Sequence, residues 1–213
     1  MNVGGRRRVV VAVTGASGSV YGVTLLRILR ERDDLETHLV VSRSGALTLR
    51  QETGLSPADV HALADVVHRP ADVGASIASG SFATVGMVVA PCSIRTLSAI
   101  AYCDTADLVS RAADVTLKEG RPLVLMVRET PLHLGHLRAM TAAAEAGAVI
   151  APPVPAFYHP PRDVEDLVEH SVRRVLDRLG LDGGSREWAG LRGEAEDGAA
   201  ARRNGDPARR PPG

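Results

Sequence analysis

Aromatic residues are scarce, 3% of a 213-residue chain, so the core is not built on stacked rings and every Tyr or Trp in a suggestive place carries weight. Cysteine is equally thin. Cys92 and Cys103 alone give no disulfide framework, which points to a reducing compartment. No excess charge exists either: 25 Lys and Arg stand against 25 Asp and Glu. Without a net field, neither nucleic acid nor a membrane surface is an expected partner. The start, Met1 to Arg8, is short and basic, and too few apolar residues follow, with too many glycines, for a signal peptide or membrane span. A cytoplasmic protein with one core is the expectation.

What is present alternates. Short runs rich in Val, Ile and Leu fall at Val9 to Val13, Thr37 to Val41, Val66 to His68, Met87 to Ala90, Leu123 to Val127 and Ala148 to Ile150. Runs apolar at every position suit strands covered on both faces. Helical patterns lie between them, at Tyr21 to Glu31, Ser44 to Thr53, Pro57 to Ala64, Ile94 to Ala101, Ala106 to Lys118, Leu134 to Ala146 and Val164 to Leu179. The order predicts an α/β domain over residues 1–181: a single Rossmann-like (flavodoxin-like) doubly wound parallel sheet in three αβα layers. After Leu181, residues 182–213 are dense in Gly, Ala, Arg, Asp and Glu, with little apolar beyond Trp188 and Leu191. That composition predicts a flexible low-complexity tail.

The first strand runs into Thr14-Gly15-Ala16-Ser17-Gly18 and then a helix. A strand, a glycine turn and a helix N-terminus leave free N–H groups and a positive dipole end at one point, a cradle for a phosphate or simply a tight turn. Nicotinamide binding is the weaker use of it. Ser42, Arg43 and Ser44 follow the second strand where an acidic ribose ligand would stand, and Tyr102 has Ala106 four residues on, not Lys. A second turn, Pro91-Cys92-Ser93-Ile94-Arg95-Thr96, offers hydroxyls, a cation and another helix start, which reads either as a ligand loop or as an ordinary serine N-cap. Cys92 there reads as a small buried residue. A third cluster, Arg128-Glu129, sits at the carboxyl end of a buried strand, where α/β sheets place their ligands. The proline-rich Pro152 to Pro161 segment carries Phe157 and Tyr158, as a packing arm between subunits or a pocket wall. His133 and His136 lack a third ligand, so no metal is expected.

Together these positions resemble the UbiX-type flavin prenyltransferases, which attach a dimethylallyl group to reduced FMN. The resemblance runs through Thr14 to Gly18, Ser42, Gln51-Glu52-Thr53, Pro91 to Ser98, Arg111 to Val115 with Leu117-Lys118-Glu119, Arg128-Glu129 and Phe157-Tyr158-His159. It spans roughly Arg8 to Leu181. Within the family, Ser76 to Phe82, Thr130 to Arg138 and Pro152 to Pro161 are most similar to the B subunit of non-oxidative hydroxyaryl-acid (phenolic acid) decarboxylases.

The resemblance implies that Gly15, Ala16, Ser17, Ser42, Ser93, Ile94, Arg95, Thr96 and Arg128 bind FMN. It implies that Arg111, Lys118, Glu129, Tyr158 and Arg174 bind dimethylallyl phosphate, with Ser17, Glu52 and Glu129 catalytic. The implied reaction joins the allyl group to flavin N5 and C6 without a metal, and prenylated FMN passes to a decarboxylase apoenzyme. Ile94-Arg95, Asp107 and Gly120 depart from pairs or residues frequent in relatives, and Trp188 matches a tryptophan that caps the prenyl pocket. A homododecamer is implied too. The alternative is a non-catalytic FMN-binding accessory subunit of a hydroxyaryl-acid decarboxylase complex.

Overall fold

A computed structural model describes residues 5–158 and 160–185. Six strands, β1 (Arg7–Val13), β2 (Leu35–Val41), β3 (Val66–His68), β4 (Gly86–Cys92), β5 (Leu123–Val127) and β6 (Val149–Ile150), form one sheet in the order β3-β2-β1-β4-β5-β6. Every pairing is parallel. The helices are α1 (Ser19–Arg30), α2 (Arg43–Thr53), α3 (Pro57–His61), α4 (Ile94–Ala101), α5 (Leu108–Lys118), α6 (Leu134–Glu145) and α7 (Val164–Arg178). A parallel sheet needs cover on both faces, and the sequence alternates its apolar residues to supply it.

Val9, Val11 and Val13 pack with Leu25, Leu26 and Leu29 of α1, Leu49 of α2, Val60 of α3 and Val172 and Leu176 of α7. Val10 and Ala12, facing the other way, pack with Leu97 of α4, Leu108 and Ala112 of α5 and Ala139 of α6. The result is the three-layer arrangement that the alternating runs predict. Fully buried leucines of this kind contribute about 1.5–3 kcal/mol each.

Glycine sets one packing distance. A Cβ at Gly22 would fall 2.3 Å from the carbonyl oxygen of Ala90, so only glycine lets α1 lie this close to β4. Several helix starts are local: Ser42 accepts from Gly45 N at 3.0 Å, Ser93 from Thr96 N at 3.3 Å and Asp107 from Ser110 N at 2.9 Å. The Asp107 cap explains why α5 begins at Leu108 rather than at Ala106.

Two further differences from the sequence expectation have physical reasons. Pro91 and Cys92, read as turn, end β4; Cys92 pairs with Val127 after a register shift that begins past Val89, where Pro91 has no N–H to give the ladder. A short 3-10 turn at Ser76–Ala78 had no periodic signature to reveal it. Beyond α7, Arg173 donates to Gly183 O at 2.7 Å and Arg32 to Asp182 O at 3.0 Å. His159, Trp188 and the tail from residue 186 lie outside the described residues.

Candidate functional site

With this strand order the direction in which successive strands are added to the sheet reverses between β1 and β4, and a crevice opens beyond their carboxyl ends. Four loops meet there. Thr14 ties two of them: its buried hydroxyl donates to Pro91 O at 2.8 Å and accepts from Ser93 N at 2.9 Å. Arg128 N donates to Cys92 O at 3.0 Å, which brings the loop after β5 to the loop after β4. Gly15 lies against Ser44, where an added Cβ would stand 2.4 Å from the serine side chain, so the loop after β2 closes on the first. Gly15, Ala16, Ser17, Ser42, Ser93, Ile94, Arg95, Thr96 and Arg128 therefore stand on one set of interlocked loops.

The α1 N-terminus holds an anion, and the anion is the protein's own. Glu52, at the far end of α2, accepts from Gly18 N at 2.9 Å and from Ser19 N at 2.8 Å. Gly18 takes a φ of 100° and has no side chain to cap the helix, so the carboxylate does that task from a distance. Burial pushes the Glu52 carboxyl up, but hydrogen bonds from Ser17, Ser19 and Gly18 outweigh it and hold the group below its ordinary value. The cradle expected for a phosphate is thus filled. A bound phosphate must look to other donors.

Those donors exist. The backbone N–H groups of Gly15, Ser17, Ile94 and Arg95 have no acceptor among the described residues, and the Ser42, Ser93 and Thr96 hydroxyls stand beside them. Arg128 adds the cation. It faces Tyr21, whose phenol burial pushes up while the guanidinium charge acts in the opposite sense. Open N–H groups, hydroxyls and one guanidinium make a donor-rich surface suited to FMN, an anionic phosphate on a carbonyl-bearing heterocycle. Glu129 follows at the rim, exposed, its Oε1 accepting from Thr130 N at 3.0 Å. Cys92 is fully buried and its thiol is pushed far up by burial, so it is no nucleophile.

The remaining expected residues stand elsewhere in this chain. Arg111 pairs with Asp114 at 3.1 Å, and Lys118 with Glu119 at 2.8 Å beside Gly80 near the amino end of the sheet. Among the described residues no hydrogen bond or ion pair joins either to the loops. Tyr158 and Arg174 line a separate groove of about 290 Å3 with Met126 and Val149. There Tyr158 Oη lies 2.9 Å from His170 Nε2. The sequence reading missed His170, Thr14 and Tyr21. Four-residue spacing puts His170 on the Arg174 face of α7, a signal that was available; Thr14 and Tyr21 acquire their roles only from partners more than 70 residues away.

Residues 3–175 match the flavoprotein family model. The flavin prenyltransferase UbiX of Escherichia coli (strain K12) is 59% identical over 175 residues, covering 82% of this chain and 93% of that protein. A crystal structure of AnUbiX (PadA1) in complex with FMN and dimethylallyl pyrophosphate is 51% identical, with a TM-score of 0.85 over 87% of this chain and 99% of that one. A dodecameric FMN-dependent UbiX-like decarboxylase from Escherichia coli O157:H7 is 50% identical, with a TM-score of 0.83 over 86% and 100%.

Proposed function

This chain belongs to the flavoprotein family, among the UbiX flavin prenyltransferases, and from that premise we propose that it joins a dimethylallyl group from dimethylallyl phosphate to N5 and C6 of reduced FMN. The observation that carries the reading is the donor-rich convergence of four loops around open N–H groups and Arg128. Reduced FMN, as substrate, supplies the nucleophilic nitrogen and ring carbon; prenylated FMN is the product. Gly15, Ala16, Ser17, Ser42, Ser93, Ile94, Arg95, Thr96 and Arg128 bind the flavin in this proposal.

Arg111, Lys118, Tyr158 and Arg174 hold the donor's phosphate, and their positive charge lowers the cost of its departure. Arg111 and Lys118 make no hydrogen bond or ion pair to the loops of their own chain among the described residues, and in this proposal they enter the site from a second copy in a homo-oligomer, a homododecamer as in the UbiX-like relative. Glu129, exposed at the rim and without an ion pair among the described residues, is the base that takes the ring proton at C6. Ser17 and Glu52 form a proton relay, the ionised Glu52 accepting from the Ser17 hydroxyl. The reading extends to a decarboxylase apoenzyme that receives the product, and to the cytoplasm as the place of both. Among the described residues no helix is long and apolar enough to cross a membrane.

Anaerobic incubation of the protein with reduced FMN and dimethylallyl phosphate tests the proposal. Mass spectrometry should find flavin heavier by one dimethylallyl group less one proton's exchange; unchanged flavin would refute transfer.

A further inference from the structure

A cavity of about 380 Å3 lies between α2, α3, β3 and the end of β2, next to the loop after β2 but lined by none of the residues expected to bind FMN. Leu49, Val60 and Val67 wall it, and His61, His68 and Arg69 supply its polar side. Among the described residues no carboxylate lines it. Arg69 is exposed at the cavity's mouth and makes no side-chain hydrogen bond or ion pair among the described residues, so its guanidinium is open to an incoming anion. Its volume falls at the small end of ligand sites, roughly 300–1,000 Å3.

His68 is the end of a hydrogen-bonded row. Arg8 Nε donates to Glu36 Oε1 at 3.1 Å, His38 Nε2 lies 2.8 Å from the same oxygen, and His38 Nδ1 lies 2.9 Å from His68 Nε2. An ionised carboxylate only accepts, so His38 carries its proton on Nε2 and, in the neutral ring, accepts at Nδ1. His68 must then donate from Nε2. That leaves Nδ1 of His68 as its remaining group, with no partner among the described residues. A proton added at Nδ1 turns it into a donor and disturbs nothing else in the row.

We propose that this cavity binds a small monocarboxylic acid with an apolar body, the hydrocarbon against Leu49, Val60 and Val67 and the carboxylate held by Arg69 and His68. Charge complementarity selects the acid over a neutral or cationic ligand. The groups facing His68 are Glu36 and His38 on β2, Arg8 on β1, His61 on α3, and Arg69 and Asp72 after β3. Burial lowers the His68 ring below its usual value, and Asp72 opposes. The ring is therefore neutral at neutral pH, and a carboxylate placed at Nδ1 draws a proton onto it. Binding strengthens as pH falls.

Isothermal titration of the full chain with 3-phenylpropanoate and with its neutral counterpart 3-phenylpropanol, at about pH 6 and about pH 8, tests this. The acid should bind more tightly than the alcohol and more tightly at the lower pH, with proton uptake visible as a dependence on buffer ionisation heat. Arg69→Gln should weaken the acid roughly 10–100-fold, the loss of a charge-assisted bond, and leave prenyl transfer unchanged. His68→Asn should abolish the pH dependence. Equal affinity for acid and alcohol, no binding of either, an acid affinity untouched by Arg69→Gln in a variant that melts like the parent, or binding lost on saturation with FMN would each overturn the proposal.

Discussion

Glu52 caps a helix on another element, and its removal offers a quantitative test of that role. The carboxylate takes two backbone N–H groups, at 2.9 and 2.8 Å, at a helix N-terminus whose own cap residue is glycine. Charge-assisted bonds contribute about 1.5–3 kcal/mol each and a helix dipole about 0.3–1 kcal/mol. Glu52 is exposed, so water replaces part of both and salt screens the rest. Glu52→Ala should therefore cost about 2 kcal/mol and Glu52→Gln, which keeps an acceptor but no charge, about 1 kcal/mol. For a domain of this size that is a fall in Tm of about 4–8 °C for the alanine variant.

The pH sense follows from the folded carboxyl lying below its unfolded value. Its stabilisation is fully present above the unfolded pKa, about 4.3, and is lost as pH falls through the folded one. Parent and Glu52→Gln should thus converge in acid. Formate should recover part of the alanine variant's Tm by occupying the emptied helix end. Thermal melts by circular dichroism from about pH 7 to about pH 3 read all of this. An alanine variant melting within about 1 °C of the parent at neutral pH, or a gap to the glutamine variant that persists in acid, would refute the argument.

Thr14→Val keeps the shape of a buried side chain but strips the hydroxyl from Pro91 O and Ser93 N. It should cost about 2–3 kcal/mol in urea unfolding and weaken flavin binding, while Thr14→Ser stays near the parent; an unchanged midpoint would count against the loop tie. Gly22→Ala should lose about 1–3 kcal/mol, since its methyl meets the Ala90 carbonyl at 2.3 Å and backbone cannot rotate away. Native protein should react through one thiol per chain with a disulfide reagent, Cys103 being exposed and Cys92 buried with its thiol pushed up. Two fast thiols would contradict that burial.

By itself the sequence determined the layers. Runs such as Val9 to Val13 and Leu123 to Val127 are apolar on both faces, and the amphipathic stretches between them repeat at helical spacing, so strand, helix and parallel order follow from periodicities confined to a dozen residues. The site loops were legible for the same reason, as each glycine or serine turn directly follows a strand. What filled those loops was not. That Glu52 occupies the α1 N-terminus, that Thr14 bridges to Ser93, and that Lys118 comes beside Gly80 depend on which strands become neighbours. Strand order is a property of the whole packed sheet, since only there do residues 33 or 79 positions apart come within hydrogen-bond reach, and only the tertiary structure could decide it.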